Sequence, residues 1–401
     1  MTESQVPVSD GGAGPVHPET AAVLGGRTDG EASLAPVLYP TSTFSFDSFD
    51  EGRRLATAHA PERFYSRYGN PTINAFENTI ADLEGAEAAR AFSSGMGAIS
   101  AVILGLCSSG DHVVAQNHLY AGTQLFFQTV CPRMGIDVTF VDGTVPGAFA
   151  EAVIPGRTML VFAETPANPR LDLVDLDDLG SIAGALTVVD STFATPMVQN
   201  PLAHGVDLVL HSATKGIAGA NDATLGVVAG SQELISWLWG FATLHGANAS
   251  PYDAYNAHRG LRTLGARLRQ QSETAAALAE FLEGCGEVSE VRYPGLSSHP
   301  QHELALRQMR SMGGLLTFDL IGGSEAGKRF VEATSIARQA TSLGGPETLI
   351  CHSATTTHVS LTSEELAAAG IGEGTVRVSC GLEHVDDLVN DIARAIAATE
   401  V

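Results

Sequence analysis

The chain alternates short apolar runs with stretches of helical period. Val113–Ala115, Val138–Val141, Met159–Ala163, Leu186–Val189, Leu208–Leu210 and Leu225–Ala229 are compact aliphatic blocks with little polar alternation, which predicts strands buried on both faces. Helical segments lie between most of them, for example Gly97–Leu106 and Leu173–Ala183. Asn70-Pro71 reads as a helix N-cap followed by Pro in the first turn, and Ile73, Phe76, Ile80 and Leu83 then share one helix face. Such alternation predicts an α/β layer with a mostly parallel sheet, and ligands of that layer bind beyond the carboxyl ends of its strands.

After a long helix expected from Leu261 to about Leu282 the pattern changes, with a strand at Leu315–Leu320, a short one at Val376–Ser379 and a last helix near Val385–Ala398. This predicts a second, smaller α+β unit. Residues 1 to about 35 are rich in Gly, Pro, Ser and Thr without helical or strand period, and are expected as an extended arm. The expected division is an arm over 1–69, a large domain over 70–268 and a small C-terminal domain over 269–401.

Composition narrows the function. The 22 basic residues stand against 45 acidic ones, a net charge of −23, which argues against nucleic acid and against anionic membrane surfaces. The longest apolar stretch, around Ala98–Cys107, is about half a bilayer span. The opening MTESQVPVSD has neither a basic nor an apolar leader region, and the five scattered cysteines never form a C-x-x-C, so a cytoplasmic protein with reduced thiols and no metal site is expected. Only two basic residues are lysines, Lys215 and Lys328; the rest are arginines. Arginine cannot form a Schiff base, and lysine can.

Each lysine sits in a candidate motif. Gly322-Gly323-Ser324-Glu325-Ala326-Gly327-Lys328-Arg329 approaches a nucleotide phosphate loop, but Arg329 stands where a magnesium-binding hydroxyl belongs and Glu325 would repel phosphate. A strand-to-helix turn with a solvated Lys328 fits it better. His211-Ser212-Ala213-Thr214-Lys215 follows a strand, placing an amine and two hydroxyls where α/β active sites gather. Asp190 ends another strand in Val188-Val189-Asp190-Ser191-Thr192, where a carboxylate needs a partner such as a protonated pyridine nitrogen. Ser93-Ser94-Gly95-Met96-Gly97 offers backbone N–H groups at a helix start, a phosphate cradle.

These stretches, with Tyr65-Ser66-Arg67-Tyr68-Gly69-Asn70-Pro71-Thr72, Glu164-Thr165-Pro166-Ala167-Asn168-Pro169 and Gly374-Thr375-Val376-Arg377-Val378-Ser379, appear in the order found in the Cys/Met-metabolism pyridoxal-phosphate enzymes. The chain resembles that family from about residue 37 to its end. The resemblance implies the aspartate-aminotransferase-like fold (fold type I), pyridoxal 5′-phosphate as cofactor, and a small sulfur-containing amino acid as substrate. It implies Lys215 as the Schiff-base lysine and proton carrier, Asp190 on the pyridinium nitrogen, and Tyr120 stacked on the ring and protonating the leaving group. It implies Gly95, Met96, Ser212 and Thr214 on the phosphate, and Tyr65 and Arg67 reaching the neighbouring subunit's phosphate. Asn168 lies near the cofactor oxygen, and Arg377, helped by Ser342, holds the substrate carboxylate. The arm then contacts a neighbouring subunit, with a homodimer as the smallest active unit and a homotetramer as the expected assembly.

Within the family, enzymes that handle cystathionine carry charged residues at three places where this chain has Phe64, Leu125 and Thr341. The resemblance therefore implies α,γ-elimination of methionine or a close thioether, with cystathionine γ-lyase or γ-replacement on an activated homoserine ester as the alternatives. Relative to methionine γ-lyases, a Cys is replaced by Gly122, a Lys-Asp pair by Ala242-Thr243 and an aromatic by Gly216. Gly122 is expected to leave room for a tail longer than methyl.

Overall fold

The computed structural model describes residues 15–26, 32–359, 362–368 and 370–399. Much of the expected arm (1–14 and 27–31), including the opening read for a leader, lies outside the described residues.

The expected runs form one seven-stranded sheet, together with β1. Its strands are β1 Ala88–Phe92, β2 His112–Gln116, β3 Asp137–Val141, β4 Thr158–Glu164, β5 Leu186–Asp190, β6 Leu208–His211 and β7 Gly226–Gly230, in the order β3-β2-β4-β5-β6-β7-β1. All pairings are parallel except those of β7, which runs against both β6 and β1. The runs are uninterruptedly apolar because successive residues enter opposite cores. Val188 and Leu210 pack with Ile99, Val102 and Phe127, whereas Val209 packs with Phe76, Ile80 and Leu83. Strand β1 gave no signal, since Ala88-Ala89-Arg90-Ala91-Phe92 is neither β-branched nor alternating. Its buried Arg90 is held through its terminal nitrogens by Glu77 at 3.5 Å and by the carbonyls of Arg67 and Tyr68.

A second sheet holds β8 Val288–Arg292, β9 Leu315–Leu320, β10 Arg338–Gln339, β11 Leu349–His352 and β12 Thr375–Ser379, ordered β10-β11-β12-β9-β8. Helix Val385–Ala397 and helix Gly323–Ala333 pack into its core through Leu388, Ile392 and Phe330.

Three expectations change. The long helix starts three residues later than expected, running Leu264–Glu283, and a separate helix Pro251–Leu261 precedes it; the Arg267 guanidinium enters the break between them and donates to the Gly260 carbonyl and the Thr263 hydroxyl. The helix expected over 173–183 spans only Leu176–Gly180, since Asp175 caps it late by accepting from the N–H groups of 177 and 178. A helix at Pro18–Leu24 lies within the segment expected to lack period; it is too short to show one and is fixed by burial of Ala21 and Ala22 against helix Pro71–Glu84. Among the described residues no helix is long and apolar enough to cross a membrane.

The two sheets are tied at Asp172. Its carboxylate takes Arg170 and Arg292 of β8 at 3.1 Å each, and His118 at 3.4 Å. Burial alone would push this carboxyl up, but His118, Arg170 and Arg292 overcome it and hold it down at about 2. A depressed folded value stabilises the fold above the unfolded value near 3.8, and the contribution is lost as pH falls through about 2. Asp172→Asn is therefore expected to lower the unfolding free energy by about 2 kcal/mol at neutral pH. Denaturant titrations at several pH values check this: a penalty unchanged from neutral pH down to about 3 would speak against the ion pair.

Candidate active site

Four strand ends meet at one mouth: β4 delivers Glu164, β5 Asp190, β6 Ser212 through Lys215, and β1 leads into Ser94-Gly95-Met96. They open on a cavity of about 540 Å3 that the second sheet closes with Thr341, Ser342, Leu343 and Arg377. Tyr120, Asn168, Thr192, Phe193, Thr356 and Thr357 complete the wall.

Thr192 joins two of the strand ends. Its hydroxyl donates to Asp190 Oδ1 and accepts from the Ser212 N–H at 2.8 Å. The Thr192 N–H also bonds Oδ1, at 3.0 Å, and among the described residues Asp190 Oδ2 has no donor. Burial raises the Asp190 carboxyl above its ordinary value, against the Thr192 hydrogen bonds and the field of His211. His211 is itself fully buried, its Nε2 2.7 Å from Glu84 and its Nδ1 3.1 Å from the Ser191 carbonyl. A buried carboxylate oxygen aimed at a cavity without a donor suits a protonated ring nitrogen.

Lys215 Nζ donates to the Ser342 hydroxyl at 2.8 Å. Burial, and then the nearby Arg377 charge, lower its pKa, which favours the neutral amine that attacks a carbonyl. Ser342 has φ of +82°, an unusual backbone for serine, and such strain costs on the order of 1–3 kcal/mol. It is held there by the Arg377 Nη2 bond to its carbonyl at 2.8 Å.

Arg377 sits in the middle of β12 at 4 % exposure. Nη1 donates to Asn168 Oδ1 at 2.9 Å, while its buried Nε has no partner. A guanidinium on the cavity wall with no carboxylate bonded to it among the described residues is a place for an anion, and a substrate carboxylate suits it.

The helix Gly95–Leu106 starts at the cavity, with Ser94 capping by accepting from the Gly97 N–H at 3.0 Å. Gly95 is required there, because a Cβ on it would come within 2.7 Å of Ser212 Cβ. The free N–H groups of that turn beside the Ser212 side chain suit a phosphate. Thr214 lines the same wall, but its hydroxyl is engaged with Leu225, accepting from the N–H at 2.9 Å and donating to the carbonyl at 3.2 Å. An amine, a carboxylate for a ring nitrogen and a phosphate turn on one wall together fit pyridoxal phosphate.

Gly95, Met96, Tyr120, Asn168, Asp190, Ser212, Thr214, Lys215, Thr341, Ser342 and Arg377 thus share one cavity. Tyr65, Arg67, Phe64 and Leu125 do not line it. Arg67 donates to the Thr243 carbonyl at 2.8 Å and lies over the rings of Tyr65 and Tyr68. Phe64 packs against Phe46 and Tyr68, and Leu125 is exposed on helix Ala121–Arg133. The room expected at Gly122 is taken by the Tyr120 ring, since a Cβ there would lie 2.5 Å from a ring carbon. Lys328 is exposed and paired with Glu325 at 2.7 Å on helix Gly323–Ala333, the solvated turn expected. Sequence reasoning passed over Glu164, Phe193, Thr356 and Thr357. Only Glu164 carried a usable signal, a carboxylate closing an apolar strand as Asp190 does.

Known proteins resemble this chain over nearly its whole length. The chain is 43% identical over 384 residues to an O-succinylhomoserine sulfhydrylase of Pseudomonas aeruginosa, covering 95% of each chain. It is 42% identical to an L-methionine gamma-lyase of Porphyromonas gingivalis, over 94% of this chain and 96% of the other. A crystal structure of cystathionine gamma synthase from Xanthomonas oryzae pv. oryzae, in complex with aminoacrylate and cysteine, superposes with a TM-score of 0.89 at 39% identity, covering 96% and 99% of the two chains. The model of the Cys/Met metabolism PLP-dependent enzymes matches residues 19–397, and the chain belongs to that family of pyridoxal-phosphate enzymes, with its fold type I architecture.

Proposed function

We propose that this enzyme eliminates the γ-substituent of a small thioether amino acid, methionine or a close analogue, giving 2-oxobutanoate, ammonia and a thiol. The observation that carries the reading is the uncharged distal wall of the cavity. Beyond Arg377 and Lys215 the wall offers Thr341, Leu343, Thr356, Thr357 and Gly122, none of them ionisable. A second charged head buried there would stay unpaired, at a cost of several kcal/mol.

Pyridoxal phosphate, when bound, supplies the aldehyde that condenses with amines and the ring that takes up the electron pair left at Cα. Lys215 would carry that cofactor and afterwards move the protons at Cα and Cβ. Asp190 would hold the ring nitrogen protonated. Gly95, Met96 and Ser212 would hold the phosphate, joined by Thr214 once its hydroxyl turns from the Leu225 carbonyl, and Tyr120 would cover the ring and give a proton to the departing sulfur. Arg377, fixed by Asn168 and Ser342, would anchor the substrate carboxylate. Tyr65 and Arg67 would complete the phosphate site of a neighbouring subunit, which makes a homodimer the smallest active unit and a homotetramer its expected assembly. Five unpaired cysteines are the ground for placing it in the cytoplasm.

The sulfhydrylase relative favours a second reading, γ-replacement, in which an added thiol takes the place of the departing γ-substituent. Product analysis with and without an added thiol separates the two. Methionine alone should give equimolar 2-oxobutanoate and ammonia. Turnover of only an activated homoserine ester, and only with a thiol, would overturn the elimination reading.

A further inference from the structure

Glu164 closes β4 beside Asp190 and is 4 % exposed, yet among the described residues no cation is hydrogen-bonded to it. Each of its oxygens instead takes one backbone N–H: Oε2 from Tyr120 at 2.8 Å and Oε1 from Asn168 at 2.9 Å. Its own N–H is held by Gln116 Oε1 at 3.0 Å, so the strand end beneath the carboxylate is fixed.

The arrangement is costly. Burial and the neighbouring Asp190 push the Glu164 carboxyl above its ordinary range, while the two N–H groups and the Arg377 charge favour the ionised form. An amide of the same shape would avoid that cost, but it accepts at only one end. Only a carboxylate serves both N–H groups, and the two groups belong to different parts of the site. Tyr120 is 46 % exposed and sits at the N-cap of its helix with no side-chain cap, so packing does little to hold its ring. Asn168 carries the Oδ1 that receives Arg377.

We propose that Glu164 is a positioning residue that sets the Tyr120 ring and the Asn168–Arg377 clamp from one side chain, at the distance from Asp190 that the sheet fixes. One carboxylate thereby registers the group that protonates the leaving sulfur with the group that holds the substrate carboxylate. This rests on the roles proposed above for Tyr120 and Arg377.

Glu164→Asp in the holoenzyme separates position from charge, since it keeps a buried carboxylate next to Asp190 but withdraws both oxygens by one methylene. Three readouts apply: kcat, the induced circular dichroism of the bound cofactor's visible band, and inhibition by propionate as a probe of Arg377. Expected are a kcat lowered about ten- to a hundredfold, a weakened dichroic band and propionate inhibition weakened about tenfold, with the cofactor retained. In a Tyr120→Phe background the same change should cost much less in kcat, because the two residues act as one unit. Parental dichroism and propionate inhibition in Glu164→Asp, or losses that simply add to those of Tyr120→Phe, would overturn the inference while leaving the proposed reaction standing. A Tyr120→Phe enzyme with parental kcat would instead overturn the role given to Tyr120, and the inference with it. Should Glu164→Asp not fold, Glu164→Gln carries the test, since it can satisfy only one N–H and must lower either the dichroic band or the propionate affinity.

Discussion

Lys215→Ala should lose turnover by roughly 10^4-fold or more while leaving the fold intact. The amine lies on the cavity wall with a single hydrogen bond, to the Ser342 hydroxyl, and no core packing depends on it. Ala213, Ile217 and Ala218 on either side of it are the residues that enter the core. No other lysine can substitute, because Lys328 is exposed on another helix and engaged with Glu325. Borohydride reduction of the parent should fix the cofactor to residue 215, and the variant should yield no such adduct. Near-parental kcat in Lys215→Ala would sink the assignment. The same variant tests the shared site. Mixed with an inactive Arg67→Ala protein, it should recover roughly a quarter of parental activity, because half of the exchanged dimers are mixed and each holds one complete site. No recovery after proven subunit exchange would remove Arg67 from the neighbouring site.

The sequence showed the strands that carry the candidate site more clearly than the scaffold around them. Buried parallel strands must be apolar on both faces, so β2, β4, β5 and β6 stood out as runs, and a polar residue at the end of such a run stood out with them. Asp190 and Lys215 were legible for that reason. Strand β1 was not, since its central Arg90 is buried only because Glu77 and three backbone or amide oxygens from distant segments converge on it. The break before Leu264 was hidden likewise: Arg267 reads as a surface residue in sequence, and only the fold brings the Gly216 and Gly260 carbonyls to its guanidinium. Glu164 had the same strand-end signal as Asp190, but its use depends on two N–H groups contributed from 44 residues before and 4 residues after it. Gly122 misled in the other direction. A missing side chain suggests space, and here a neighbouring ring fills it.

Substrate preference should follow the distal wall, with methionine, ethionine and homocysteine exceeding cystathionine in kcat/KM. Cystathionine would bring an ammonium and a second carboxylate to a region where the structure offers hydroxyls and methyls. The ionisable groups on the wall are Glu164, Asp190, Lys215 and Arg377, with the phenol of Tyr120, and all lie at the reacting end. Arg377 is already bonded to Asn168 and the Ser342 carbonyl, and Glu164 to two backbone N–H groups. Thr341 is the position to change, because it lines the cavity while its side chain stays exposed enough to carry a charge at little cost to folding. Thr341→Glu would pair with the distal ammonium, and a hydrogen-bonded pair to a charge is worth about 1.5–3 kcal/mol, or roughly ten- to a hundredfold in the cystathionine-to-methionine ratio of kcat/KM. Leu125→Arg should add less than that, because Leu125 stands on the exposed side of its helix outside the cavity wall and a long arginine would lose side-chain freedom in reaching it. The two changes together should shift the ratio further than either alone, since they meet opposite charges of the same head. Steady-state kinetics on both substrates decides it: a parent enzyme that prefers cystathionine, or a Thr341→Glu enzyme whose ratio does not move, would mean that the distal end of the substrate is held by groups other than this wall.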